Sequence, residues 1–279
     1  MAVLAENRYG KSGVRLVKLT REGGRHHFKD LAVAVSLEGD FRAVHESGDN
    51  ANVLPTDTMK NTVYALARQN PLGEIEEFGK LLAAHFLRSH AAIRRARVTI
   101  RESLWERLEI AGAPDPHTFR KAGGESRLTE VVAGDGALAI ESGLEDMLVA
   151  KTSKSAFDGF FRDRYTTLQE TRDRILATAV RAVWKYSVSD LDFGSAWRGI
   201  RQTLLETLAA HDSESVQHTL HAMGEKALQR HPEIGEIQIT MPNKHHLLVD
   251  LSRIGLDNPN EIFVPIEEPY GLIQATLRR

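Results

Sequence analysis

Leu31-Ala32-Val33-Ala34-Val35-Ser36-Leu37 sets a large apolar side chain at every second position, with a small or polar one between. A period of two is that of an extended strand with one buried face. Val14-Arg15-Leu16, upstream, is strand-like as well. Downstream the period changes. Met59, Val63 and Leu66 recur at i, i+4, i+7, and Ile75, Phe78, Leu82 and Phe86 take up the pattern after a Pro71-Leu72-Gly73 break. Both stretches predict helices. Alternation returns at Ala96, Val98 and Ile100 and again at Leu108 and Ile110.

The rest of the chain repeats this order. Met147–Lys151 reads as a strand, and Val180, Ala182, Trp184, Tyr186 and Val188 form the cleanest alternation. Phe193, Trp197, Ile200, Leu204 and Leu208 make one helical stripe, and Val216, Leu220, Met223 and Ala227 another. Ile237, Ile239 and Met241, then Leu247, Val249 and Leu251, return to strand. Each half therefore runs strand, strand, helix, helix, strand, strand. Gly134-Asp135-Gly136 between them predicts a hairpin turn. The boundary falls near Gly143, giving domains 1–142 and 143–279 of class α+β. Two antiparallel sheets, each covered by helices on one face, are the economical solution. Their open edges call for a partner, so oligomerisation is expected.

Composition narrows the function. Hydrophobic residues are 42% and charged residues 27% of 279, a globular balance. The 36 basic and 38 acidic residues leave a net charge of −2, with no basic excess to meet a phosphate backbone, so nucleic acid is not an expected partner. Cysteine is absent, which removes disulfides, thiolate metal sites and cysteine nucleophiles. The longest apolar runs are far shorter than the roughly 20 residues of a membrane span, and the start lacks a secretory pattern. The end, Leu277-Arg278-Arg279, is not a peroxisomal signal, so a cytoplasmic location is expected.

Familiar signatures fail. Gly134-x-Gly136-x-x-Ala139 imitates a dinucleotide fingerprint, but a strand pattern follows where a helix is required. His218 and His221 share a helix face, yet no carboxylate or third histidine at telling spacing completes a metal set. More informative are polar residues at helix starts. Thr56-Asp57 open the first stripe, where either could be an N-cap. Val216-Gln217 hold the corresponding place in the second half. Both positions offer free N–H groups to an anion. Pro242-Asn243-Lys244-His245-His246 joins two strand patterns, and Asn243 would serve a hairpin turn there.

At these segments the sequence resembles the urate oxidase (uricase) family, the cofactor-free oxygenases of purine breakdown. The matching pieces are Arg8-Tyr9-Gly10-Lys11, Asp49-Asn50, Thr56-Asp57-Thr58-Met59-Lys60-Asn61-Thr62, Phe157–Leu168 with Asp173–Leu176, Ser215-Val216-Gln217, Pro242–His246, Asp257–Glu261 and Pro269–Ile273. The resemblance spans residues 7–277. It implies two tandem tunnelling-fold (T-fold) domains per chain and a homotetramer whose sheets close into barrels, with active sites between subunits.

The resemblance also implies roles. Urate is flat, anionic and rimmed with donors and acceptors. Phe157 would supply a stacking face, Arg174 a planar cationic fork, Gln217 an amide, and the Val216 backbone a hold on the purine edge. Asp57 would act through its backbone N–H, contributed by the neighbouring subunit. Lys11, Thr56 and His245 would remove a proton from urate, and Thr56 would also touch the substrate. Asn243 would position dioxygen and then water. The implied products are 5-hydroxyisourate and hydrogen peroxide, with no metal or organic cofactor. Asp158, next to Phe157, is expected to point away from the purine.

Overall fold

The computed structural model describes residues 2–279; Met1, which opens the 1–142 range, lies outside them. The chain is α+β and forms two compact units. One comprises residues up to Gly143 together with Lys185–Ser195, the other Leu144–Trp184 together with Ala196–Arg279.

In the first unit the strands are β1 (Tyr9–Glu22), β2 (Arg25–Gly39), β3 (Ile93–Ile110) and β4 (Ala113–Gly134), paired antiparallel in that order. A short α1 (Arg42–Glu46), α2 (Thr56–Gln69) and α3 (Ile75–Ser89) lie between β2 and β3. Val33, Val35 and Leu37 of β2 stand opposite the buried Ile100, Val98 and Ala96 of β3. Directly opposed residues share a face, so this is one continuous apolar surface. Met59 and Val63 of α2 and Ile75, Phe78, Leu82 and Phe86 of α3 join it in the same core. Each such side chain, fully buried, contributes about 1.5–3 kcal/mol. Leu108 and Ile110, read from the sequence as a separate alternation, are the end of the long β3. The predicted turn forms: Asp135 at φ 52° and Gly136 at φ 76° join β4 to β5 (Ala137–Lys151).

The second unit holds most of β6 (Leu176–Tyr186) and of α4 (Phe193–Ala210), whose first three residues belong to the first unit, and all of α5 (Val216–Arg230) and β7 (Ile234–Lys244). Phe193, Trp197, Ile200, Leu204 and Leu208 are all buried, as are Val216, Leu220, Met223 and Ala227. Val188 lies past the end of β6 and is exposed, because the strand stops at Tyr186.

The end of the chain departs from the expected order. Leu247, Val249 and Leu251 do not form the partner strand of β7. That partner is β10 (Gly271–Arg278), antiparallel, with Asn243 opposite Gly271 and Ile239 opposite Ala275. Only His246–Leu248 of the predicted segment is strand, β8, and it pairs with β9 (Phe263–Pro265). Asn243 is therefore not a turn residue; it belongs to β7 and is 8% exposed. The local signals were polar residues after a proline, whereas the deciding contact comes from a strand almost thirty positions away. β5 and β6 each begin in one unit and end in the other. Among the described residues, no helix is long and apolar enough to cross a membrane.

Candidate functional site

Of the residues singled out from the sequence, Lys11, Thr56 and Asp57 come together in the first unit, and Phe157, Arg174 and the segment before α5 in the second. In the first unit, Lys11 lies on β1 opposite Val35, whose side chain is buried in the core. Lys11 thus projects from the helix-bearing face. The pairing of β1 with β2 shifts register between Lys11 and Val14, with Gly13 at φ 68° in the irregularity. Before it stands Gly10, where an added Cβ would come within 1.9 Å of the Val35 carbonyl oxygen. The strands approach so closely that only glycine fits.

Helix α2 packs against β1. Its N-cap is Pro55, and no side chain closes the end. This corrects the expectation that Thr56 or Asp57 caps the helix: proline's extended ψ of 137° starts the helix one residue earlier, which moves both inside it. The first N–H to find a helical acceptor is Met59, bonded to the Pro55 carbonyl at 3.2 Å. The N–H groups of Thr56, Asp57 and Thr58 are left without intrahelical acceptors. The Asp57 carboxylate is occupied: Lys60 donates to one oxygen, and Asn61 Nδ2 to the other at 2.9 Å. The Lys60 hydrogen bond holds this carboxyl below its usual range, and the charge of Lys11 adds to the effect. Lys11, Thr56 and Asp57 therefore share one neighbourhood, in which the aspartate's free resource is its backbone N–H.

In the second unit a backbone lattice assembles the other cluster. Ser155 forms a parallel bridge with Ser213. The Ala156 N–H donates to the Ser213 carbonyl at 2.7 Å, and the Arg174 N–H to the Ser155 carbonyl at 3.0 Å. Phe157 and Thr171 exchange N–H···O bonds of 2.7 and 3.1 Å. Segments around Phe157, Arg174 and the start of α5, far apart in sequence, are thereby laced together. Arg174 Cζ lies 5.3 Å from the centre of the Phe157 ring. Its Nε is enclosed and has no hydrogen-bond partner among the described residues. Burial pushes the guanidinium below its ordinary value. A half-buried, uncompensated arginine is costly unless something anionic meets it.

Helix α5 begins at Val216, and the Ser215 hydroxyl accepts the His218 N–H at 3.1 Å. That cap leaves the N–H groups of Val216 and Gln217 as the open donors of the first turn, and Gln217 is exposed. Residues 231–233 connect α5 to β7, and the two elements pack together. The short connection makes β7 run back along α5, so Asn243 and His245 return toward the end where α5 starts. The His245 carbonyl accepts the Ile266 N–H at 2.9 Å. Asp158 forms an ion pair with Arg172 at 2.6 Å.

His218 and His221 are exposed on α5, and the His218 ring lies 4.3 Å from that of His211 between centroids. Among the described residues, no group of three or more histidine, aspartate and glutamate side chains is placed to hold a metal ion. Sequence reasoning gave Ser215 no capping role, although a serine just before an apolar stripe is a helix-start signal. It also missed the Ser155–Ser213 bridge, for which no local signal exists.

The fold and the second cluster define an α+β protein in which an aromatic face and a half-buried guanidinium are laced to the segment that starts a helix. The chain matches the family model described as Uricase over residues 7–132 and 140–274, and it belongs to that family. The uricase of Arthrobacter globiformis is 44% identical over 277 residues, covering 99% of this chain and 90% of that protein. The uricase of Dictyostelium discoideum is 36% identical over 282 residues, covering 100% of this chain and 98% of that protein. The crystal structure of the Arthrobacter globiformis uricase matches with a TM-score of 0.95, covering 100% of this chain and 96% of that one.

Proposed function

We propose that this chain is a urate oxidase, converting urate, dioxygen and water to 5-hydroxyisourate and hydrogen peroxide without metal or organic cofactor. The observation that carries this is Arg174: a half-buried guanidinium without an acidic partner among the described residues, 5.3 Å from the Phe157 ring centre, its backbone N–H bonded to Ser155, which in turn bridges Ser213 ahead of α5. A flat purine anion stacked on Phe157 would supply the missing charge. Two parallel N–H groups of the guanidinium would meet its oxygen and nitrogen rim. Gln217 and the Val216 N–H would hold the opposite edge.

The chemistry follows from what urate needs. Removal of a second proton makes the purine electron-rich enough to give two electrons to dioxygen, which leaves as hydrogen peroxide. Water then adds to the oxidised ring. Lys11 accepts the proton through the Thr56 hydroxyl, and His245 completes the relay. Asn243, with a side-chain amide that can both donate and accept, holds first dioxygen and then water above the ring. The Asp57 N–H binds the substrate, which fits a carboxylate already engaged by Lys60 and Asn61.

In this reading residues 1–142 and 143–279 are tandem T-fold domains. The Lys11–Thr56–Asp57 locus of one subunit completes the Phe157–Arg174 locus of its neighbour in a homotetramer with closed barrels. The test is to follow urate absorbance, oxygen uptake and peroxide together on chelator-treated protein. Equimolar consumption of urate and oxygen is the expected result. Binding without oxygen uptake would reduce the protein to a purine-binding one, and activity restored only by added metal would overturn the cofactor-free mechanism.

A further inference from the structure

The Phe157 ring has a second neighbour with no assigned role. Gly159, at φ 65°, reverses the chain and brings Phe160 back against Phe157. The two rings are stacked, with centroids 5.0 Å apart and planes at 16°. Arg162 Cζ lies 4.9 Å from the centre of the Phe160 ring. The same guanidinium reaches Glu170, on the returning limb of the loop, at 3.9 Å. Asp158 and Arg172 tie the two limbs at 2.6 Å, beside the Phe157–Thr171 backbone pair. The loop is thus built as a pile of flat groups clamped at its margins.

From this geometry we propose that Phe160 is a positioning residue for the stacking ring, with Arg162 closing the pile beneath it. The inference rests on the urate oxidase reading, in which Phe157 is the face that carries the purine. A phenylalanine side chain turns about two bonds, and a ring open on both faces would sample several tilts. Phe160 takes one face of Phe157 and fixes its plane, which leaves the opposite face to the ligand. Arg162 holds Phe160 by the attraction of a cation for a ring face, and Glu170 orients the guanidinium. Plane and depth of the purine matter because proton removal and electron transfer both depend on how its atoms meet fixed groups.

The experiment compares the full chain with Phe160→Leu, Phe160→Tyr and Arg162→Gln. Readouts are KM and kcat for urate, affinity for xanthine as a flat purine probe, and Tm. Leucine keeps bulk and removes the stack, so Phe160→Leu raises KM and weakens xanthine binding by about 2- to 10-fold. Phe160→Tyr, which keeps the ring, restores both to the parent's values. Arg162→Gln raises KM by about 2- to 5-fold with Tm unchanged. Parent-like KM and xanthine affinity in Phe160→Leu would overturn the proposal. So would a loss that tracks Tm and is not restored by tyrosine. If Phe160→Leu does not fold, Arg162→Gln decides: a raised KM at unchanged Tm supports positioning, and a parent-like KM refutes it. An inert parent chain instead sinks the urate oxidase reading, whereas an active parent with indifferent variants sinks only the positioning role.

Discussion

Helix α2 starts after Pro55 with no side chain closing its end, whereas α5 starts after Ser215, whose hydroxyl takes the His218 N–H. The first turn of α2 contains Asp57, and that of α5 contains no acidic residue. An aspartate in the first turn already satisfies part of the helix's positive end, while an end without one keeps its attraction for an external anion. The two starts are therefore suited to different work. In the proposed function the α5 end, with no acidic residue in its first turn, is the one that binds charge. In the same proposal the α2 end, with open N–H groups and a threonine hydroxyl near Lys11, is the one that passes a proton.

Breaking each side of this contrast should have a distinct kinetic signature. The largest effect is expected at the α2 side: Lys11→Ala or Thr56→Ala lowers kcat by about 10²- to 10⁴-fold with KM little changed. Full turnover in Lys11→Ala would show that the proton leaves by another route. On the α5 side, Arg174→Ala raises KM by about 10- to 100-fold and lowers kcat less. Arg174→Lys should not restore it, since an ammonium lacks the planar fork. Unaltered urate affinity in Arg174→Ala would remove this residue from the site.

A smaller effect separates the caps themselves. Ser215→Ala should lower stability by about 1 kcal/mol in urea unfolding, whereas Pro55 provides no side-chain cap to delete. An unchanged midpoint would mean that the α5 end is held by its neighbours rather than by its serine.

The smallest effect is an acid one near the same helix. Burial pushes His211 below its ordinary imidazole value, and His218 and Lys151 add to that. The folded state thus prefers the neutral ring. Its contribution is intact above the unfolded value of about 6.5 and is lost as the pH falls from there through the folded value. His211→Gln should flatten this limb of the stability curve. A limb of the same steepness in the variant would assign it to other groups.

The core strands and helices were legible because their periodicity is local: Leu31 to Leu37, Ile75 to Phe86 and Phe193 to Leu208 each declare a buried face within a few turns of chain. The strand β10 was not, since Leu272 is 63% exposed while Ile273 and Leu277 are half-buried, which blurs the alternation. Glu76 is a second example. It sits fully buried between Ile75 and Phe78, where helical spacing gives no reason for a carboxylate. The reason is Arg127 at 2.6 Å and the Ser142 hydroxyl, both on strands remote in sequence. At the candidate site, helix-start positions pointed to Thr56 and Gln217 and the family resemblance to Lys11 and Arg174, but the lacing of Ser155 to Ser213 and the Phe160 stack depend on contacts that no single segment encodes.

Gly10 carries a lesson for anyone scanning this protein by mutation. Its missing side chain leaves room for the Val35 carbonyl oxygen, 1.9 Å from where a methyl would stand, and Lys11 is the next residue. An alanine there would pry apart the strands and swing the amine away from its post. A screen scored by turnover alone would then file an inert glycine among the reactive groups, while a companion measurement of folding would reveal it as a hinge pin.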